Sequence, residues 1–451
     1  MNTKMRSRGW LRLLVIAGCV PTIGLIIGGV LVGAREISAA SQLRQKVNEL
    51  RQAELPYDNA SFDQWYRKHT RPDGADAWVQ TLDAVSATSQ LGAVDILPIV
   101  GHAKELRELD PKAEWRDEPQ VKEYLTEMQG LIQQVHQLQK WPTPVQLPLQ
   151  FNGSATLLPH FQQARDLSRL LQLDFEYAFY RGEFDRAQQD LVSIGTVAKA
   201  IDNELCLVVD LIAAALKQTQ YFAIQRSLVT DAWPTDKLPE LRQIVGQTRY
   251  SSTKWKTLFT CERAMFGDDV NSGDLTRITD NVEVSFIPLL YTGRLRIFAA
   301  YDEIVSIGND DLAALKSASR NVAARQENRS ATWDVDGASI WLKMLFPSIE
   351  SMARALENEE SNRRLTLTAI ALRQYKHQEG KWPSRLSDLA KVGLTPADCR
   401  TVNRGDFGYE VSEDVAYVWS CSFTQDEPVS DSRPSPSTDS PWSDVTVVKL
   451  R

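Results

Sequence analysis

The side chains of this 451-residue chain that could carry chemistry are five histidines, five cysteines and a few acidic doublets. His69, His102, His136, His160 and His377 are scattered, and none stands at the spacing that lets two imidazoles share a metal ion. HExxH and CxxC are absent, as are GxSxG, GxxxxGK(S/T) and GxGxxG, so zinc, a serine-nucleophile elbow and a nucleotide or flavin fold lack a signature. Asp268-Asp269 beside Gly267 and Asp310-Asp311 near Gly308 read as turns or helix starts rather than a general acid–base pair. Glu262-Arg263, behind Cys261, falls on an expected helix and reads as a buried ion pair that ties helices together. His102, after the segment LPIVG, reads as a cap or surface histidine. The sequence therefore names no catalytic residue, no metal ligand and no cofactor. An enzyme would need an active site assembled from residues without a motif.

The cysteines are permissive. Cys19 lies in an apolar run. If the rest of the chain is extracytoplasmic, Cys399 and Cys421 could bridge across a C-terminal sheet, and Cys206 and Cys261 could pair between helices. Buried thiols account for both pairs equally well.

Charge says more than motif does. The chain has 51 Lys+Arg against 58 Asp+Glu, and its net charge of −7 excludes nucleic acid as a partner, because phosphate binding needs a basic surface. Residues 1–34 hold Lys4, Arg6, Arg8 and Arg12 and no acid, so the acidity belongs entirely to residues 35–451.

The elements that must position these residues begin with a membrane segment. From Leu13 to Gly33 the chain runs 21 residues without a charge, enough for a helix to cross the ~30 Å hydrocarbon core. Pro21 should kink it. The bases before the run place residues 1–12 in the cytoplasm as a basic tail, and the remainder outside. A cleaved signal peptide would use Val32-Gly33-Ala34 or Ser38-Ala39-Ala40, but its apolar region is usually about 7–15 residues, so an uncleaved signal-anchor in a single-pass protein is expected. Gly24/Gly28 and Gly29/Gly33 are GxxxG spacings, a route to a homodimer through the membrane helix, although glycine is common in such helices. Cys206–Leu216 contains Asp210 and is too short to span, and Val284–Ala300 contains Arg294 and Arg296, so one span is expected.

Beyond the membrane, Ala40, Leu43, Val47 and Leu50 recur at helical spacing and predict a stalk over 34–56, stopped by Leu55-Pro56. Residues 57–345 predict an irregular all-α body, with helices near 75–92, 120–140, 159–180, 184–202, 204–228, 236–249 and 251–266. Within it, Ala178, Gly182, Phe184, Ala187 and Leu191 form a helix–turn–helix that resembles the turn of a tetratricopeptide repeat. No second copy occurs at that repeat's period, so an isolated hairpin is expected.

Residues 346–451 predict a small α+β domain. Pro347 suits a helix first turn, ahead of Ile349, Met352 and Leu356. A later helix should run into Gly380, with Pro383 preventing its continuation. Phe407–Val411, Val415–Phe423 and Asp444–Leu450 alternate as three antiparallel strands, the first two joined at Ser412–Asp414, and residues 424–443 read as a disordered loop. The stretch Ala371–Leu389 resembles the core segment of type II secretion major pseudopilins, through Ala371, Leu372, Tyr375, Gly380, Trp382, Pro383, Leu386 and Leu389. The whole chain is similar to a family of uncharacterised bacterial membrane-anchored proteins with one N-terminal span, a helical middle and this ending. The resemblance implies an inner-membrane protein with its body outside the cytoplasm and no known activity. Three roles are expected in turn: a protein-interaction or scaffold protein, an enzyme with a site in the helical body, or an accessory of a type II secretion-like system.

Overall fold

The computed structural model describes residues 4–88, 97–101, 109–153, 155–203, 205–247, 254–272, 289–307, 312–330, 338–402, 405–420 and 447–451. His102 and Cys421, with the loop expected at 424–443, fall outside the described residues. The protein is mainly helical, with one small antiparallel sheet.

Helix α1, Lys4–Gln52, is a single 49-residue helix, so the expected span and stalk are one rod. Its two halves differ. Ile27, Val30, Leu31 and Val32 are bare, with 55–65% of their surface exposed, whereas Ala39, Leu43 and Leu50 are buried. The buried set recurs at four and seven residues, which keeps it on one helix face. That face packs on α11 (Tyr291–Val305).

The body continues as α2 (Asn59–His69), α3 (Ala75–Thr88), α4 (Glu118–Leu138), α5 (Pro159–Tyr180), α6 (Phe184–Ile201) and α7 (Leu207–Ser227). Asp58 starts α2 through a reciprocal capping box with Ser61, at 2.8 Å to the Ser61 N–H. Then come α8 (Lys237–Gly246), α9 (Lys254–Met265), α10 (Gly267–Ser272), α11, α12 (Leu312–Ser330) and α13 (Ala338–Glu379). The Asp268-Asp269 doublet opens α10, and the Asp268 carboxylate accepts the Asn59 N–H at 3.0 Å. Helices α2, α11 and α12 carry no clear counterpart in the sequence pattern.

By length and composition alone, helix α7 is long and apolar enough to cross a membrane. It packs between α5, α6 and α13, with Val209, Ala213, Leu216 and Ile224 buried, so its apolarity is that of a core helix.

Helix α13 runs for 42 residues, so Pro347 and the boundary placed at 345/346 lie inside it, not at a helix start. It touches α7, α8, α11 and α12 as well as the sheet. One apolar cluster joins Phe175, Phe179 and Tyr221 of the body to Leu372, Tyr375, Val418 and Leu450. The C-terminal elements therefore share a core with the body.

The sheet consists of β1 (Gly408–Ser412), β2 (Val415–Trp419) and β3 (Val447–Leu450) in the order β1-β2-β3, both pairs antiparallel. Val411 faces Ala416, and Val418 faces Val448. Glu413 and Asp414 turn between β1 and β2 at φ +52° and +62°, the left-handed pair that matches strand twist in a two-residue hairpin.

Candidate functional site

A buried polar group is built on the α5–α6 hairpin. Gly182 turns the chain at φ +71°, a conformation that costs a side-chain-bearing residue. The Gly182 and Glu183 N–H groups bond back to the Phe179 and Ala178 carbonyls at 3.0 and 2.8 Å. Ala178 and Ala187 are fully buried and let the two helices close tightly. The hairpin thereby sets Asp174 of α5 against Arg186 and Asp190 of α6, and α4 lays His136 across them.

His136 Nε2 lies 2.8 Å from Asp190 Oδ1. Arg186 clamps Asp174 with two nitrogens, its Nε 3.2 Å from Oδ2, and reaches Glu183 Oε2 at 2.9 Å. Its guanidinium also stands 5.8 Å from the Tyr177 ring centre, and the Tyr177 hydroxyl donates to Glu118 at 3.2 Å. Gln139 donates to Ser193 at 2.8 Å beside the histidine.

Asp174 and Asp190 are completely buried, whereas the Arg186 side chain is 35% exposed. Burial, and then Asp174 alongside, push the Asp190 carboxyl well above the ordinary carboxylate range. Burial lowers His136 and favours the neutral ring, against the pull of Asp174. For Arg186, burial opposes the charge, but Asp174 and Glu183 outweigh it and raise its pKa. Both shifts favour the uncharged forms of Asp190 and His136, so their 2.8 Å contact is not a strong ion pair. Asp190 Oδ2 has no hydrogen-bond partner among the described residues. No local pattern revealed the group, because His136 and Asp190 are 54 residues apart.

A second polar junction ties α1 to the body. The Glu36 carboxylate accepts the Tyr291 N–H at 2.7 Å and the Thr292 hydroxyl at 2.6 Å, capping α11. Lys46 pairs with Asp302 at 2.7 Å, and Asp302 with Arg263 at 2.7 Å. Glu262 and Arg263 thus serve different partners rather than each other. Glu262 accepts the Leu207 N–H at the start of α7 at 2.8 Å, and burial pushes its carboxyl up to about 7.

The other residues singled out by sequence take structural places. Cys206 and Cys261 are both buried thiols, which is the second of the two alternatives left open for this pair. Cys399 is a buried thiol, pushed up to about 11 by burial, while Cys421, with which it could bridge, lies outside the described residues. Gly28, Gly29 and Gly33 have open space around them on α1, and Gly24 lies on the same helix. Among the described residues no group of three His, Cys, Asp or Glu could hold a metal ion.

The Ala371–Leu389 segment is a packing device. Gly380 ends α13 at φ +72°, its N–H on the Lys376 carbonyl at 2.8 Å. Tyr375, Trp382, Pro383 and Leu389 are buried, Leu386 partly so. Trp382 donates its indole N–H to the Asp414 carbonyl in the β1–β2 turn at 2.8 Å, with Lys376 4.4 Å from its ring centre. Tyr409 donates to the Pro383 carbonyl at 2.9 Å. Sequence reading missed Arg373, which is 1% exposed and donates to the Leu228 carbonyl at 2.7 Å and the Val229 carbonyl at 3.0 Å. Burial lowers its pKa to about 10.

No protein-family model matches the chain, and no curated protein or solved structure is significantly similar to it.

Proposed function

We propose that this is a membrane-anchored protein-interaction or scaffold protein, held in a bacterial inner membrane by residues 13–33 with its body outside the cytoplasm. The observation that carries the reading is the division of α1. Among the described residues Ile27, Val30, Leu31 and Val32 are exposed, while Ala39, Leu43 and Leu50 are buried, the two leucines within an apolar cluster of the body. A bare apolar helix continuous with a docked one is what a rigid tether requires. The basic tail supports a cytoplasmic N-terminus. Carbonate-washed membranes should retain the full chain, and deletion of residues 1–33 should release it. Protease added to spheroplasts should digest the body. Release of the full chain by carbonate would overturn the anchor, and protection of the body would overturn its orientation. Crosslinking in cells, with affinity capture afterwards, should return the same partners repeatedly; none would count against a scaffold.

The His136–Asp190–Asp174–Arg186 group favours a second reading, an enzyme whose acid–base residues sit on the hairpin. It is the weaker one, because both carboxyl groups are fully buried, out of reach of a substrate. Asp190→Asn keeps the shape of the side chain and its contact with His136 but cannot release a proton. A cellular phenotype from Asp190→Asn in a stably folded protein would favour the enzyme.

A further inference from the structure

We propose that the body rests on the bilayer surface through the start of α11, where Tyr291 and Arg294 contact anionic phospholipid headgroups. The inference rests on the anchor reading and extends it.

Helix geometry sets the depth. The apolar run ends at Gly33, and Glu36 lies about 4.5 Å further along the helix axis. The polar layer of one leaflet is about 5–8 Å thick, so Glu36 lies within it. Glu36 in turn holds Tyr291 and Thr292 by hydrogen bonds of 2.7 and 2.6 Å. The α11 start is therefore fixed at headgroup depth, with no spacer between membrane and body. Ala39, the first buried residue of α1, comes only about 9 Å beyond Gly33 along the axis.

The chemistry fits that depth. Tyr291 is 41% exposed, one of few large apolar side chains left bare on the body. Tyrosine is enriched at the membrane interface because its ring prefers the acyl boundary and its hydroxyl the headgroups. The Arg294 guanidinium lies 4.8 Å from the Tyr291 ring centre, and Arg35 is exposed on α1 one residue before Glu36. The chain after residue 34 is strongly acidic, with 47 bases against 58 acids, and an anionic surface would repel it. At the junction the balance is reversed: two arginines flank one acid, and that acid is engaged by the α11 N-terminus. A lipid surface is the partner that matches an exposed ring and paired arginines beside a bare apolar helix.

The test uses the full chain in nanodiscs of phosphatidylcholine with or without phosphatidylglycerol. The photo-crosslinker p-benzoylphenylalanine replaces Leu31 in one protein and Tyr291 in another. Both should give phospholipid adducts by mass spectrometry. Adducts at 31 without adducts at 291 would overturn the headgroup contact and leave the anchor standing. No adduct at 31 would sink the anchor itself. With the probe at 291, Arg294→Gln should lower the ratio of phosphatidylglycerol to phosphatidylcholine adducts about fivefold, the weight of one basic side chain at an anionic surface. An unchanged ratio would show that Arg294 does not read the headgroup charge.

Discussion

The α5–α6 hairpin and the Ala371–Leu389 segment use the same local device. Each stops a helix at a glycine, Gly182 at φ +71° and Gly380 at φ +72°, and each folds the chain back on itself. What they bury differs. The hairpin encloses two carboxyls, an arginine and a histidine; the C-terminal segment encloses Tyr375 and Trp382, with the Arg373 charge spent on carbonyls at the α7 C-terminus. One region buries a cluster of ionisable side chains, while the other holds the sheet to the body. A turn signal in sequence thus specifies a reversal of direction and says nothing of the chemistry enclosed by it.

The largest expected effect falls on the packing side. Trp382→Ala should destabilise the protein by about 3–5 kcal/mol, since the ring is buried and its N–H closes on Asp414. A thermal melt unchanged within a degree or two would show that the sheet does not depend on it.

On the polar side, Glu262 offers the clearest pH effect, as a reference for the hairpin acids. Its folded pKa is raised from 4.5 to about 7, so the folded state keeps a proton that the unfolded state has already released. Stability contributed by that proton is full below pH 4.5 and is lost as pH rises towards 7, a total of about 3 kcal/mol. Glu262→Gln should flatten denaturant midpoints across that window. A wild-type protein equally stable at both ends would contradict the shift.

Within the hairpin, Asp190→Ala should cost about 2 kcal/mol by stranding the His136 ring, whereas Asp190→Asn should be close to neutral. The contrast tests whether Asp190 is held uncharged, because asparagine is uncharged and of the same shape. Equal losses from both substitutions would mean that Asp190 is ionised and ion-paired instead.

The smallest effects compare the turns directly. Gly182→Ala and Gly380→Ala should each cost about 1 kcal/mol, from backbone conformation alone, because nothing lies within 4 Å of a Cβ at either position. Unequal losses in urea melts would reveal that the enclosed chemistry feeds back on the turn.

Much of the helical layout could be read from periodicity. The expected helix at 159–180 is α5, and 184–202 is α6 to within a residue, because both keep a long apolar face on one side. The sheet was also legible, since Val415–Trp419 is a run of β-branched, aromatic and other apolar residues and Glu413-Asp414 marks a turn. Helix α12 escaped because residues such as Arg320, Asn321 and Arg325 break its apolar stripe, and it is held by α13 rather than by its own pattern. Pro347 misled for a related reason. Its ring ordinarily marks a helix start, yet here the helix continues through it, as packing on neighbouring helices can enforce. The candidate site was less legible still. His136, Asp190 and Asp174 are each ordinary helix positions, and nothing in their immediate neighbours distinguishes them from solvated polar residues.

The sequence by itself determined where apolar faces recur, where glycine and proline stop a helix, and that one charge-free run stands at the basic end of an acidic chain. These are local properties, set by backbone sterics and by side-chain spacing along a single element. Only the tertiary structure decided which polar residues lose water together. Asp190 meets His136 across 54 residues, Arg373 meets the Leu228 carbonyl across 145, and Glu36 meets Tyr291 across 255. Buried charge and the docking of α1 come from those meetings, because desolvation depends on which elements pack together, and no window of sequence contains them.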